Sequence, residues 1–221
     1  MPTISEQSGQ LKAAAATNLP AEINEVFDRS IKGFLAQGVP AGAVKAGDQL
    51  ESFTLDGATG TAVSLSDLTE AGPAVIVFYR GGWCPYCNVA LRTYQQELLP
   101  ELAGFGARLV AISPQTPDES LSTAEKAELS FTVLSDPGSR VARRLGIAFR
   151  QADDVLDAQQ KLGLDLAKAN AEGSSWLPRP TVLIVGQDRT VRFADIQPDY
   201  TARTEVADIV AALAGLREGT V

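Results

Sequence analysis

Histidine is absent from the 221 residues. That removes every Cys-His or Ser-His nucleophilic dyad and every imidazole-ligated metal centre, so a nucleophile here must be activated by something else. Cysteine is nearly absent as well: Cys84 and Cys87 are the only two. Positive charge is in short supply, with 19 Lys and Arg against 27 Asp and Glu and a net charge of −8. A surface of that sign argues against nucleic acid and against anionic membranes as partners. Long apolar runs are missing too; none approaches the roughly 20 residues that span a bilayer. Met1–Glu6 has no basic region leading into a hydrophobic core, so a secretory signal is not expected and a cytoplasmic location is. In that reducing compartment a lone cysteine pair reads as catalytic or metal-binding rather than as a structural staple. There is no internal repeat and no low-complexity linker. The length suits one domain with a sizeable core, or one domain plus an extension.

What is present centres on Ala74–Cys87, a continuous apolar run (Ala74 to Tyr79), then Arg80-Gly81-Gly82-Trp83, then Cys84-Pro85-Tyr86-Cys87. An all-apolar run of this length predicts a strand covered on both faces. A glycine turn then delivers the cysteines to the start of a helix.

Around this stretch the chain divides into residues 1–44, a helical extension, and 45–221, an α/β domain with an insertion at 148–178. Residues 1–17 read equally as a helix or as a disordered arm. Asn18 and Pro20 open a helix carrying Ile23, Phe27, Ile31, Phe34 and Leu35 at helical spacing. That stripe packs either on the main domain or on a second subunit. Asp48–Leu55 alternates like a strand and returns through Asp56–Gly60 as a hairpin with Ala62–Leu65. Ser66–Leu68 makes a helical turn. Asn88–Leu102 is one helix kinked by Pro100. Strands at Arg108–Ser113 and Phe131–Asp136 alternate with helices at Pro117–Glu128 and Ser139–Leu145, which predicts a largely parallel central sheet. Within the insertion, Gln151–Leu162 is a polar helix and Asn170–Ser175 a flexible stretch. The insertion is either a lid or interface element, or a solvated excursion. A hairpin, Thr181–Val185 with Thr190–Ala194, and an amphipathic helix, Arg203–Leu216, complete the chain.

A thiolate is the nucleophilic form of cysteine, and a helix N-terminus or a neighbouring cation favours it. With no histidine, the helix dipole plus arginine is the activation available; Arg80, and Arg179 if the chain folds back, are the candidates. Two soft ligands and no imidazole fall short of the four that a structural zinc takes, unless the site is shared across a dimer axis. Inert buried thiols are the remaining reading.

At this point the sequence resembles the peroxiredoxin (AhpC/TSA-type) branch of the thioredoxin superfamily, among members that carry Cys-x-x-Cys. The resemblance covers roughly residues 45–215. Phe78-Tyr79-Arg80 to Cys87 is similar to the family's Phe-Tyr-Pro strand end with the peroxidatic cysteine seven residues after the proline. Arg80 stands in place of that proline, and Cys84 in place of the Thr or Ser that binds peroxide. Leu134-Ser135-Asp136-Pro137 matches a further family segment. Arg179-Pro180-Thr181 resembles two relatives at once: the resemblance makes Arg179 the catalytic arginine of peroxiredoxins and Pro180 the cis-proline of thioredoxins.

The resemblance implies a thioredoxin fold with a mixed central sheet flanked by helices. It implies a thiol peroxidase without metal, flavin or haem. Cys87 attacks hydrogen peroxide or an organic hydroperoxide, Cys84 resolves the sulfenic acid as a local disulfide, and thioredoxin or a glutathione-type thiol reduces it. Trp83, Tyr86, Pro180 and Thr181 are then the pocket walls, Arg80 and Arg179 the charges, and a homodimer the assembly. The Pro198–Thr201 corner reads as a structural turn. On thioredoxin logic Cys84 attacks first instead, as in a dithiol-disulfide oxidoreductase. A non-enzymatic partner-binding module with sensor cysteines is a third possibility.

Overall fold

The computed structural model describes residues 2–58 and 60–218. Met1, Thr59 and residues 219–221, which belong to the expected N-terminal arm, hairpin turn and domain end, lie outside the described residues. The first segment is a helix, α1 (Ile4–Asn18), opened by a capping box: Thr3 Oγ1 accepts the Glu6 N–H and the Glu6 carboxylate accepts the Thr3 N–H. Glu205, from the far end of the chain, accepts the Ile4 and Ser5 N–H groups at 3.0 and 2.7 Å. A carboxylate there complements the positive helix end, and Ile4 is fully buried. Helix α2 (Ala21–Gln37) follows. Asn18 ends α1 rather than capping α2; Pro20 takes the cap position without a side-chain bond. The α1 carbonyls are met instead by the Asn24 amide, which donates to Ala15 and Leu19. The α2 stripe packs on its own chain through buried Ile23 and Ile31 and through Phe34, whose ring meets Phe149 edge-on at 4.6 Å. Leu35 stays exposed.

The expected strand at Asp48–Leu55 shrinks to β1 (Thr54–Gly57), paired with β2 (Ala62–Ser64). Before it the chain is irregular: Leu50 and Phe53 drop into the core while the Leu50 N–H is met by the Arg189 carbonyl. Next come α3 (Leu65–Thr69), β3 (Ala74–Phe78) and α4 (Pro85–Thr93). The predicted single helix over Asn88–Leu102 is broken one turn before Pro100. Tyr94–Leu98 forms a π turn, with the Leu99 N–H reaching back to the Tyr94 carbonyl, and α5 (Leu99–Phe105) resumes. Pro100 has no N–H to offer the ladder, and a π turn is a way of absorbing that defect.

Then follow β4 (Arg108–Ser113), α6 (Pro117–Lys126), β5 (Thr132–Ser135) and α7 (Arg140–Arg144). In the insertion region β6 (Ala148–Arg150), α8 (Asp153–Lys161), α9 (Leu166–Ala169) and β7 (Trp176–Pro178) form a unit in which β6 and β7 pair as a separate two-stranded sheet. Asn170, expected in a flexible stretch, is buried and bridges to Gln115. The chain closes with β8 (Thr181–Val185), β9 (Val191–Ile196) and α10 (Val206–Glu218).

The main sheet runs β2-β1-β5-β4-β3-β8-β9. It is mixed rather than largely parallel: β3/β4 and β4/β5 are parallel, and the other four pairings are antiparallel. The edge hairpins β1/β2 and β8/β9 account for two of these, since short connections join only antiparallel strands, and β1 and β8 also run antiparallel to their inner neighbours β5 and β3. Central β3 explains the unbroken apolar run. Ala74, Ile76 and Phe78 enter the core on one sheet face; Val75, Val77 and Tyr79 enter the other, under α4, α5 and α10. Each large side chain buried there contributes about 1.5–3 kcal/mol.

Candidate active site

The β3 strand aims its C-terminal end at the cysteine turn. Gly81 has φ 146°, a conformation that disfavours side chains, and a Cβ there would collide with the Trp83 ring; one at Gly82 would collide with Thr123. Gly82 is held on both sides: its N–H donates to Gln115 Oε1 and its carbonyl accepts the Asn88 amide, each at 2.8 Å. Cys84 is the cap residue of α4, Pro85 the first helical residue, and Cys87 lies in the first turn. Proline at that position gives up no needed N–H. Both cysteines are free thiols and each is 1 % exposed.

The cation nearest the sulfurs is Arg203. Its Nη2 stands 3.0 Å from Cys87 Sγ and 3.8 Å from Cys84 Sγ, while Nη1 donates to the Tyr200 carbonyl at 2.7 Å. The expected helix from Arg203 begins only at Val206, which leaves Arg203 on a loop that turns inward. That loop is pinned by the Tyr94 hydroxyl, which donates to the Thr204 carbonyl at 2.6 Å, and by Thr204 Oγ1 donating to Asp195.

Arg80 is buried over the other sulfur. Its Nη1 lies 3.9 Å from Cys84 Sγ, its Nη2 donates to Gln151 at 3.2 Å, and its guanidinium packs on the rings of Trp83 and Tyr200 at 4.9 and 4.4 Å. Arg179 goes elsewhere. Its guanidinium covers Phe34 at 4.9 Å, and its polar contact is with Gln37 at 3.4 Å rather than with either sulfur. The Arg179–Pro180 peptide is trans, against the expected cis form. The chain runs extended through this point, with the Arg179 N–H donating to the Ile147 carbonyl and the Pro180 carbonyl accepting from Gln197, and a trans bond keeps it so.

These charges separate the two thiols. Burial pushes Cys84 well above the ordinary thiol value, its own hydrogen bond to Cys87 and the Cys87 charge add to that, and Arg80 and Arg203 oppose it. Burial also penalises the Cys87 thiolate. There it is outweighed by the hydrogen bond from Cys84, the Arg203 charge, and the Arg80 backbone N–H and charge, so Cys87 lies well below the ordinary value. Both directions favour negative charge on Cys87 over Cys84.

Two spaces adjoin the pair. A hollow of about 10 Å³, room for roughly one water-sized group, is lined by Cys87, Arg203, Pro180 and Thr181 among others. Pairing of Phe78 with Thr181 puts β8 beside the end of β3 and so builds that wall. A cleft of about 670 Å³ opens instead on Cys84, with Trp83, Tyr86 and Arg80 in its floor and α1, α2 and α8 around it. Of the residues named from the sequence, Cys84, Cys87, Arg80, Trp83, Tyr86, Pro180 and Thr181 thus surround the two sulfurs. Sequence reading missed Arg203, Gln151, Gln115 and Tyr94. The inward turn at Pro198–Thr201, read only as a structural corner, carried the one signal for Arg203.

Residues 46–194 match the AhpC/TSA family. The chain belongs to the AhpC/TSA peroxiredoxin family. It is 36 % identical over 104 residues to the putative peroxiredoxin bcp of Haemophilus influenzae, covering 46 % of this chain and 64 % of that protein. It is 31 % identical over 104 residues to chloroplastic peroxiredoxin Q of Populus jackii, covering 47 % of this chain and 48 % of that one. The chain therefore spans between about half and two thirds of the length of these relatives. The crystal structure of peroxidoxin BcpB from Mycobacterium tuberculosis superposes with a TM-score of 0.61 at 26 % identity, over 79 % of this chain and 97 % of that one. The fold is the α/β thioredoxin-like peroxiredoxin fold. The helices α1, α2 and α10 lie outside the residues that match the AhpC/TSA family. No helix among the described residues is long and apolar enough to cross a membrane.

Proposed function

We propose that this AhpC/TSA protein is a thiol-dependent peroxidase with Cys87 as its nucleophile. The observation that carries the reading is the Cys87 sulfur, in the first turn of α4 and 3.0 Å from the Arg203 guanidinium. Cys87 S⁻ attacks the near oxygen of ROOH; the O–O bond breaks, Cys87 becomes a sulfenic acid, and RO⁻ leaves and takes a proton. Arg203 faces both the thiolate and the hollow in which the reacting oxygen fits. It therefore stabilises the nucleophile and the charge that develops on the leaving oxygen. Cys84, deprotonated, then attacks the Cys87 sulfur and expels hydroxide, which the released proton converts to water. The product is the Cys84–Cys87 disulfide. Cys84 caps the helix whose first turn carries Cys87, so this step requires no distant residue to move in. An external thiol restores the pair.

The test follows reduced protein mixed with hydrogen peroxide by stopped-flow tryptophan fluorescence and mass spectrometry. Cys84→Ser is expected to react as fast as wild type and to accumulate a sulfenic acid on Cys87; Cys87→Ser is expected to be inactive. A wild type no faster than a free thiolate refutes the peroxidase. One observation favours a second reading: the large cleft meets Cys84, the first cysteine of the pair. In a dithiol-disulfide oxidoreductase Cys84 attacks a substrate disulfide, and rapid insulin reduction with slow peroxide turnover supports that instead.

A further inference from the structure

The two spaces beside the cysteines serve different sulfurs, and that division carries a conclusion about what regenerates the enzyme. The hollow lies at Cys87 and Arg203; the cleft lies at Cys84 and does not reach Cys87. On the peroxidase reading above, Cys84 never meets peroxide. Its sulfur is met from outside only once it is part of the disulfide. The occupant of the cleft is then the thiol that opens that disulfide.

The shape of the cleft restricts what that thiol is. Its volume of about 670 Å³ falls within the roughly 300–1,000 Å³ of pockets that enclose small molecules. Leu19 just past α1, Phe27 on α2 and Leu162 just past α8 stand around a sulfur that is 1 % exposed. Exchange requires the attacking sulfur to reach the disulfide. A folded redox protein would have to carry its cysteine down between these three helices. Charge restricts it further. Arg80 in the floor, beside Cys84, and Lys12 on α1 are balanced by Asp28 alone among the lining residues. That surplus favours an anionic occupant, in particular one that presents a thiolate to the floor and a carboxylate to the rim.

We infer that the cleft formed by α1, α2 and α8 over Cys84 is the binding site for a low-molecular-weight, carboxylate-bearing thiol, and that this thiol rather than a protein dithiol reduces the enzyme. In the exchange RS⁻ attacks Cys84 Sγ, the Cys84–Cys87 bond breaks, and the Cys87 thiolate leaves onto Arg203, already 3.0 Å from it. A stabilised thiolate is the better leaving group. A second RS⁻ attacks the mixed disulfide, releasing RSSR and the Cys84 thiolate, which takes up a proton. Two thiols are oxidised by two electrons in all, and one protein disulfide is reduced.

The test uses the full chain, oxidised with diamide so that the disulfide forms without peroxide; failure of this inference and failure of the peroxidase reading are then separable. Reduction is followed by tryptophan fluorescence and acid-quenched mass spectrometry, with glutathione, neutral 2-mercaptoethanol and a bacterial thioredoxin as probes. Glutathione is expected to reduce the pair with a saturating rate and to exceed thioredoxin at equal thiol concentration. Ala14→Trp, an exposed α1 position lining the cleft, is expected to slow glutathione about tenfold relative to the peroxide half-reaction. Lys12→Glu is expected to slow glutathione about threefold and to spare 2-mercaptoethanol. Faster reduction by thioredoxin that Ala14→Trp leaves unchanged overturns the inference in favour of a protein partner. An Ala14→Trp effect confined to oxidation by a bulky organic hydroperoxide overturns it in favour of a peroxide tail in the cleft. Failure of diamide to form the disulfide overturns it outright.

Discussion

Removing the Arg203 charge is the sharpest perturbation of the proposed chemistry. At the observed 3.0 Å two unit charges attract by roughly 5 kcal/mol at an effective dielectric near 20. Only part of this reaches the rate. Water fills some of the space left by a truncated side chain, and the Cys84 thiol and the Arg80 backbone N–H still face Cys87. The measured worth of a hydrogen bond to a charged group, about 1.5–3 kcal/mol, is the better guide. It corresponds to roughly a tenfold to hundredfold fall in the second-order rate with hydrogen peroxide near neutral pH for Arg203→Met. The sign of the pH effect follows from the direction of the shift. Cys87 is held well below the ordinary thiol value by Arg203 among others, so losing that cation moves its titration up and protonates more of it at neutral pH. The rate-against-pH curve must therefore move to higher pH, and the thiolate absorbance near 240 nm must move with it. Arg203→Lys, which keeps a charge but not the fork, is expected to recover part of both. The same pair stabilises the fold above the unfolded cysteine range, and that contribution is lost as pH falls through the folded Cys87 value. An Arg203→Met protein with a wild-type rate and an unmoved thiolate titration refutes the assignment.

Three further outcomes are expected. Gln115→Ala strips the half-buried Gly82 N–H of its partner and is expected to lower stability by about 1–2 kcal/mol, read as a melting-temperature drop of roughly 2–8 °C. Ile4→Ala, at a fully buried position on α1, is expected to cost about 2–5 kcal/mol of packing and to raise amide exchange throughout α1 before the sheet. Glu205→Gln removes the carboxylate charge at the α1 N-terminus and is expected to cost about 0.3–1 kcal/mol, less at high salt, measured by denaturant unfolding at two ionic strengths.

Much of the architecture is readable from pattern because it rests on local physics. The β3 run is apolar at every position because both faces are covered, and β4 matches its predicted bounds for the same reason. The misreadings occur where tertiary contacts override local preference. Asp48–Phe53 alternates like a strand, yet it meets the start of β9 only through a single bridge, Gln49 to Thr190, with Leu50 N–H going to the Arg189 carbonyl, so it drops side chains into the core without forming a ladder. The cap predicted at Asn18 fails because α1 and α2 meet in one corner, where Asn24 serves the end of α1. Parallel pairing was over-predicted because strand-helix alternation describes only the centre of this sheet and not its hairpin edges.

The candidate site divides along the same line. Cys84, Cys87, Arg80, Trp83 and Tyr86 are legible because they share one short stretch, and strand, turn and helix start fix them relative to one another. Arg203 lies 116 residues from Cys87, and no spacing rule reaches that far. The missing histidine nevertheless sets the terms. A thiolate that is 1 % exposed bears a desolvation penalty that a helix end alone offsets only in part. A chain without imidazole must bring in a permanent cation from another element. Arginine fits that need because its charge persists in buried surroundings, whereas buried lysine readily loses its proton. Arg179 was the natural candidate by family resemblance, but here it is held between Phe34 and Gln37. The loop after β9 supplies the cation to Cys87, and Tyr94, in the π turn of the same helical run as the cysteines, holds that loop in place. The helical run that presents the thiolate thus also anchors the arginine that stabilises it, so a shift of α4 and the π turn would carry nucleophile and cation together.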